Sequence, residues 1–169
     1  GESEQEIDLG IIPRIIRSSF RLNYSYQDTK DSTTHEKVPN MARHKGNIGI
    51  GLDLSAGKAE DEEPGTLSFF RSFSDEFSLY VNTFLCSKRE RSQDDIRDAL
   101  PGFAILDMTL TAHDVFHKKL GLSFSMKNIF DTDYRDPSLE FAPEDEYSAV
   151  LDDFPNPGRS FFLELRYIF

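Results

Sequence analysis

Six stretches of the chain alternate apolar and polar residues with a period of two, which is the spacing of strands and not of helices. In the first, Phe20, Leu22, Tyr24 and Tyr26 alternate with Arg21, Asn23, Ser25 and Gln27. The second sets Ile48, Ile50, Leu52 and Leu54 against Asn47, Gly49, Gly51 and Asp53. A third carries Phe77, Leu79, Val81 and Leu85, interrupted by Thr83, against Ser78, Tyr80, Asn82, Phe84 and Cys86. The fourth opposes Ala104, Leu106, Met108 and Leu110 to Ile105, Asp107, Thr109 and Thr111, and the fifth opposes Leu120, Leu122, Phe124 and Met126 to Gly121, Ser123, Ser125 and Lys127. The last puts Phe161, Leu163, Leu165, Tyr167 and Phe169 on one side and Phe162, Glu164, Arg166 and Ile168 on the other. A weaker seventh stretch, Ile7, Leu9 and Ile11 against Glu6, Asp8 and Gly10, comes before them all.

No charged residue falls on any of these apolar sides, while the opposite sides carry Arg21, Asn23, Asp53, Asp107, Lys127, Glu164 and Arg166. In a soluble barrel the apolar side looks inward; in a membrane barrel it faces lipid and the polar side lines the lumen. A basic side chain at the lipid midplane costs about 2–4 kcal/mol, so a one-sided exclusion of charge is what a lipid-facing surface requires. The pattern therefore predicts an all-β fold, an antiparallel transmembrane β-barrel segment whose lumen-facing polar candidates are those seven residues. Two alternatives stand beside it: a self-contained soluble ligand-binding β-barrel with its apolar faces turned inward, and a small outer-membrane barrel without transport activity.

Connection lengths add an orientation, because such barrels have short periplasmic turns and long external loops. With the C-terminus in the periplasm, residues 30–46, 88–102 and 131–158 are external loops, and residues 13–18 and 114–118 are short turns. Residues 56–76 break the rule, being long and acidic with the aromatic run Leu67, Phe69, Phe70 and Phe73. They form either an insertion below the membrane or an extra strand, which puts the total at about seven to eight strands. Single-chain bacterial barrels have even numbers, so seven strands imply a fragment or a missed strand.

Composition narrows the picture without changing it. No apolar run approaches the roughly 20 residues of a spanning helix, which excludes a helical membrane protein but not a barrel. The net charge of −11 argues against nucleic acid as a partner. Much of that acid lies in connections, at Asp61 to Glu63, Asp94 and Asp95, Glu144 to Glu146, and Asp152 and Asp153, where it reads as loop solvation. The lone Cys86 makes no internal disulfide and leaves the redox compartment open. The chain opens at Gly1 with neither methionine nor a signal peptide, so it is expected to be a processed or truncated piece.

Toward the end the pattern becomes more specific. Leu100-Pro101-Gly102-Phe103 leads into a strand with an inward Asp107; Lys127-Asn128-Ile129-Phe130-Asp131-Thr132-Asp133-Tyr134 follows; and Pro157-Gly158-Arg159-Ser160-Phe161-Phe162 precedes a final strand that ends on Phe169. This resembles the C-terminal β-barrel portion of TonB-dependent outer-membrane receptors, whose last strands carry a similar N-L-F-D-x-x-Y element, a P-G-R element and a terminal aromatic. Asn23 to Tyr26 and Val38 to His44 also look like family features, so the resemblance covers about residues 20–169. It implies a barrel of about 22 strands plugged by an N-terminal domain, taking up a scarce ligand such as a ferric siderophore or cobalamin in the Gram-negative cell outer membrane. Residues 1–169 would then be the C-terminal barrel portion alone, without plug or TonB box and not transport-competent by itself. Its implied partners are outer-membrane lipid and lipopolysaccharide, the missing N-terminal barrel and plug, and the barrel-assembly machinery. TonB would act only through the absent plug. Phe161, Leu163, Leu165, Tyr167 and Phe169 would form the barrel-assembly signal, and Asn128, Phe130, Asp131, Tyr134, Pro157, Gly158 and Arg159 the family motif.

The residues themselves suggest mostly structural roles. Asn128 and Asp131 follow a strand, where their side chains satisfy turn amides. Arg159 re-enters the last strand near the outer rim and is suited to pairing with loop acids or lipid phosphate. Lys88, Arg89 and Arg91 read as a solvated loop, although at that height they suit lipopolysaccharide phosphates. Tyr24, Tyr26, Tyr134, Phe154 and Tyr167 suit aromatic girdles. His113 and His117 have metal-like spacing only on a helix, and His35 and His44 share an external loop with Asp31 and Glu36 as an unspecific weak cation site. The sequence offers no Ser-His-Asp arrangement, phosphate loop or CxxC pair, so no enzyme, metal or cofactor is expected. The inward acids are expected to pair with Arg21, Lys127 and Arg166 or with a plug.

Overall fold

A computed structural model describes residues 14–33, 35–55, 74, 76–93, 95–116, 119–138 and 152–169, the side chains of residues 14–16 excepted. The described residues are all-β, without a helix. Six long strands form one antiparallel sheet in the order β1 (Arg14–Tyr26), β2 (His44–Ser55), β3 (Glu76–Cys86), β4 (Phe103–His113), β5 (Leu120–Lys127) and β8 (Ser160–Tyr167). Between β5 and β8 the chain makes a separate two-stranded sheet, β6 (Arg135–Asp136) with β7 (Phe154–Pro155).

Each of the six alternating stretches is a strand, and the registers put their apolar sides on one face. Phe20 pairs with Ile50, Ile50 with Val81, Val81 with Met108, Met108 with Met126 and Met126 with Phe161, so one row crosses the whole sheet without leaving that face. A neighbouring row runs Leu52, Leu79, Leu110, Phe124 and Leu163. Cross-strand pairs of this kind are the unit of sheet stabilisation, and the β-branched and aromatic residues that fill them suit the pleat. The face is not covered by a second layer of the described residues: Phe20, Leu22, Ile50, Leu163 and Leu165 are exposed, and no large side chain is fully buried. What core there is lies at the strand ends, in Ala42, Cys86, Leu100, Ala112 and Val115.

On the opposite face the glycines of β2 have a packing reason. A Cβ built on Gly49 would come within 2.6 Å of the Tyr80 hydroxyl and 3.2 Å of its ring, so the ring lies across bare backbone. A glycine deprived of a side chain is thereby covered by a neighbouring strand's aromatic.

Several expectations are corrected. Residues 14–18 belong to β1 and not to a short turn, with a register irregularity between Ile15 and Arg17. The first external connection ends at Arg43, because β2 already begins at His44. The Ile7, Leu9 and Ile11 stretch and nearly all of residues 56–76 lie outside the described residues, among which the main sheet holds six strands. Among the described residues it closes no barrel: β1 and β8 are two edges, each with one neighbour.

The turn after β5 fixes how the chain leaves the sheet. Asn128 is 3 % exposed and adopts φ 51°, a left-handed conformation that asparagine tolerates better than most residues. Its Oδ1 accepts the Thr132 amide and its Nδ2 donates to the Thr132 carbonyl, both at 2.9 Å. Asn128→Ala is therefore expected to destabilise the chain by about 2–4 kcal/mol and Asn128→Gly, which keeps the backbone freedom, by less. Urea unfolding of the three proteins checks this; equal losses for the two variants would show that conformation contributes nothing.

Candidate functional site

The polar face gathers residues that the sequence spreads over more than a hundred positions. Arg21, Asn23, Asn47, Tyr80, Asn82, Asp107, Thr109 and Lys127 surround one shallow concavity at its centre. Asp53, Glu164 and Arg166 share that face nearer the opposite strand ends. Asp107 and Glu164 take expected partners, Lys127 Nζ at 3.2 Å and Arg166 Nη2 at 2.9 Å, whereas Asp53 is approached by Arg17, which the sequence did not single out, with Nε at 3.9 Å. Asp107 does more than pair, since its other oxygen accepts the Asn128 amide at 2.9 Å and so anchors the turn after β5.

Asp131 completes that anchor. It has φ 54°, and its Oδ1 accepts the Arg159 amide at 2.7 Å. A Cβ on Gly158 would approach the same oxygen to 2.6 Å, so the position admits only glycine if the bond is kept. Asn128, Asp131, Gly158 and Arg159, separated by up to thirty residues, are thus one clasp between β5 and β8. Tyr134 packs on Phe103 with ring centroids 4.7 Å apart, while Phe130 is exposed. Tyr134 therefore belongs to the loop layer and not to the apolar face, where Tyr24 and Tyr26 lie, flanking His44.

At this end of the sheet, the described parts of residues 27–43, 87–102 and 128–159 interlock. Isolated bridges join Ala42 to Arg89 and Arg89 to Leu100, and the Asn40 amide donates to the Glu90 carbonyl at 2.6 Å. Only Lys88 of the basic cluster is the solvated residue expected, paired with Glu90 at 3.1 Å. Arg89 and Arg91 have side chains only 7 % and 5 % exposed, Arg89 lying against Asp136 and Arg91 against Asp95 of its own loop and Asp153 of another. Arg89 donates to the Arg135 carbonyl at 2.6 Å, lies 3.4 Å from Asp136 and stacks over Phe103 with its Cζ 5.5 Å from the ring centre. Arg91 pairs with Asp153, and its Nε donates to the Asp98 carbonyl at 2.7 Å. Asp95, expected to be a solvated loop acid, is 1 % exposed in its side chain and takes a fork from Arg97 at 2.9 and 2.6 Å. Arg97 also donates to Ser138 Oγ at 2.6 Å and approaches Asp153 to 3.8 Å.

This cluster sets the perturbed titrations. The Arg97 fork holds Asp95 at about 2 against an ordinary value of 3.8, outweighing the burial that opposes ionisation. Burial of Asp153 also disfavours its charge, but the Arg91 hydrogen bond, the Ser138 amide and the two nearby guanidiniums bring it below the usual range. Burial raises Tyr134, helped by Asp136 and Asp107. Asp95-Ile96-Arg97 does carry a local signal, an aspartate accepting the amide two residues on at 3.0 Å, whereas nothing in the sequence links Arg91 to Asp153.

A second constellation lies at the other end of the polar face. Ser78 Oγ donates to Asp53 at 2.7 Å and stands 2.8 Å from His113 Nε2. The residue types match a nucleophilic triad, but the serine sits between the other two. Its one proton goes to the carboxylate, so the imidazole faces a lone pair and cannot remove that proton. The arrangement is a hydrogen-bonded brace across β2, β3 and β4. His117 lies outside the described residues, as do Glu144 to Glu146, and no group of three or more potential metal ligands forms among those described. His44 opens β2 and bonds the Tyr24 hydroxyl through Nδ1 at 2.8 Å, so it does not join His35 in a cation site.

No family model, curated protein or solved structure matches the chain in the comparisons made.

The ion-pair cluster makes the loop layer sensitive to acid. Asp95 and Asp153 have folded pKa values below their unfolded ones, so their stabilisation is complete above about pH 4 and is lost as pH falls toward about 2. Hydrogen exchange at the Ser138 amide is expected to accelerate across that window while exchange in β3 and β4 does not. Asp95→Asn should raise exchange at pH 7 and flatten the profile; an unchanged profile would contradict the linkage.

Proposed function

We propose that the chain is the C-terminal barrel portion of an outer-membrane receptor of the TonB-dependent type, its sheet spanning the membrane and its interlocked loops facing the exterior. The observation that carries this reading is the apolar face of the six-stranded sheet. It runs unbroken through five strand pairings, with Leu54, Phe77, Ala112, Leu122 and Leu165 in one further row, and carries no Asp, Glu, Lys or Arg. Large side chains on it are exposed, Phe20 at 68 % and Leu163 at 72 %. A soluble protein rarely leaves so extensive an apolar surface in water, whereas lipid requires one.

Other features support the same reading. The opposite face is polar and hydrogen-bonded, as a wet or filled lumen demands, through pairs such as Thr109 with Ser125 at 2.9 Å and Thr111 with Ser123 at 3.0 Å. The connections at the Tyr26 end are long and that between β4 and β5 is short, while residues 56–75 between β2 and β3 depart from the alternation. The clasp of Asn128, Asp131, Gly158 and Arg159 gives the receptor-like motif a physical purpose. Two open edges would pair with strands outside the described residues, since unpaired backbone groups in lipid cost several kcal/mol each. In this reading transport of a scarce ligand belongs to the complete receptor, the C-terminal strand engages the assembly machinery, and TonB acts through a plug domain.

Lipid contact tests the proposal directly. Single cysteines at Leu122, Ser123, Leu163 and Glu164 in a Cys86→Ser background, labelled and refolded into vesicles, are expected to be quenched by lipid-borne quenchers at Leu122 and Leu163 only. A folded, uninserted chain with all four positions unquenched would sink it.

A further inference from the structure

Two rows of cross-strand neighbours on the polar face hold side chains that the sheet itself leaves unused. One row runs Asn23, Asn47, Phe84 and Ile105, and the next runs Arg21, Gly49, Asn82 and Asp107. Around them lie two hollows, one of about 310 Å³ beside Arg21 and the three asparagines, the other of about 360 Å³ against Phe84, Ile105 and Phe162. The two meet at Asp107 and Lys127. Asn23, Asn47 and Asn82 are all at least partly exposed, and among the described residues their carboxamides have no hydrogen-bond partner. The exposed Arg21 likewise makes no ion pair among those residues. Asp107 and Lys127, by contrast, engage each other at 3.2 Å, and Asp107 also takes the Asn128 amide.

A second observation concerns apolar groups on the side away from lipid. Phe162 pairs with Ser125, on the face of Lys127 and Glu164, and is 58 % exposed. Phe84 and Ile105, on the same face, are half-buried. A single exposed apolar residue needs no explanation, but three that line one hollow beside accessible, unpartnered carboxamides make a mostly apolar site with a few converging polar groups. Carboxamides and guanidiniums are planar, and their adjacent donors and acceptors suit vicinal hydroxyls, each of which gives and takes a hydrogen bond. The C–H faces of a sugar ring pack on aromatic side chains such as Phe84 and Phe162. A simple carboxylate would use Arg21 and leave the asparagines and the phenyl rings unmet. We propose that the two hollows bind a neutral saccharide, its hydroxyls on Asn23, Asn47, Asn82 and Arg21 and one ring face on Phe84 and Phe162. The inference rests on the receptor reading, in which this face lines the lumen, and deepens it by naming a ligand class.

The test is a titration of the full chain in lipid nanodiscs, followed through the side-chain ¹⁵N–¹H₂ signals of Asn47 and Asn82. The signal of Asn128, whose Nδ2 donates to the Thr132 carbonyl, reports folding in every variant. Maltose, cellobiose and lactose are the probes, with glycerol and benzoate as the hydroxylated and the aromatic control. At least one disaccharide is expected to shift both signals saturably and about tenfold more tightly than either control. Asn82→Ala should weaken that disaccharide about fivefold and Phe162→Ala, at an exposed position, about tenfold, while Phe130→Ala, outside both hollows, changes nothing. Glycerol or benzoate binding as tightly as the best disaccharide, affinity untouched by both wall variants, or no saturable response to any of the three overturns the proposal and leaves the face to a polypeptide partner. Lipid quenching at Leu122 and Leu163 is read separately: quenching without a titration response removes the ligand and keeps the receptor, and a response without quenching removes the receptor reading and leaves a soluble saccharide binder.

Discussion

Antiparallel pairing conserves parity, and this constraint organises the whole molecule. In each of the five pairings of the main sheet the register couples an apolar position only to another position on the same face, so a period of two within each strand becomes a single surface across six. A slip of one residue at any pairing would send Leu79, Leu110 or Phe124 to the side of Asp107 and Lys127. Where β1 departs from regular pairing, between Ile15 and Arg17, the irregularity lies at the strand's beginning, and Arg17 faces Asp53 on the polar side. The charge-free face and the hydrogen-bonded face are two consequences of one geometric rule.

The loops obey a different rule, because they bury charge. Guanidiniums from residues 87–102 meet carboxylates from the β5 to β8 connection, and the resulting network does for the loops what apolar packing does elsewhere. Such a network tolerates little partial loss: removing one partner leaves a buried charge uncompensated, which is far worse than never having buried it. The clasp beneath it is of the same kind on a smaller scale, with Asp107 and Asp131 each holding a backbone amide. For the receptor proposed above, the described loop residues held on the sheet would suit a selective rim, since mobile flaps would spend binding energy on their own ordering.

The strands were legible in the sequence because period-two alternation is local and survives without knowledge of partners. Five of the six began within a few residues of where the alternation starts, and the first proved longer because Arg14 to Ser19 carry no clean pattern. The turn roles of Asn128 and Asp131 were legible too, from residue type and position alone. Arg89, Arg91 and Asp95 were not: charged residues in a polar connection look alike whether water or each other solvates them. His44 was misplaced for a related reason, since its strand begins four residues before the apolar series does.

By itself, then, the sequence determined that this chain is built of strands, which side of each is apolar, and that no charge intrudes on that side. These follow from side-chain alternation, a property of consecutive residues. Only the tertiary structure decided the strand neighbours, the absence of a second layer over the apolar face among the described residues, and the meeting of Arg91 with Asp153 or of Ser78 with Asp53 and His113. Those depend on which distant segments are hydrogen-bonded to one another, and contacts across dozens of residues leave no periodic trace in the chain.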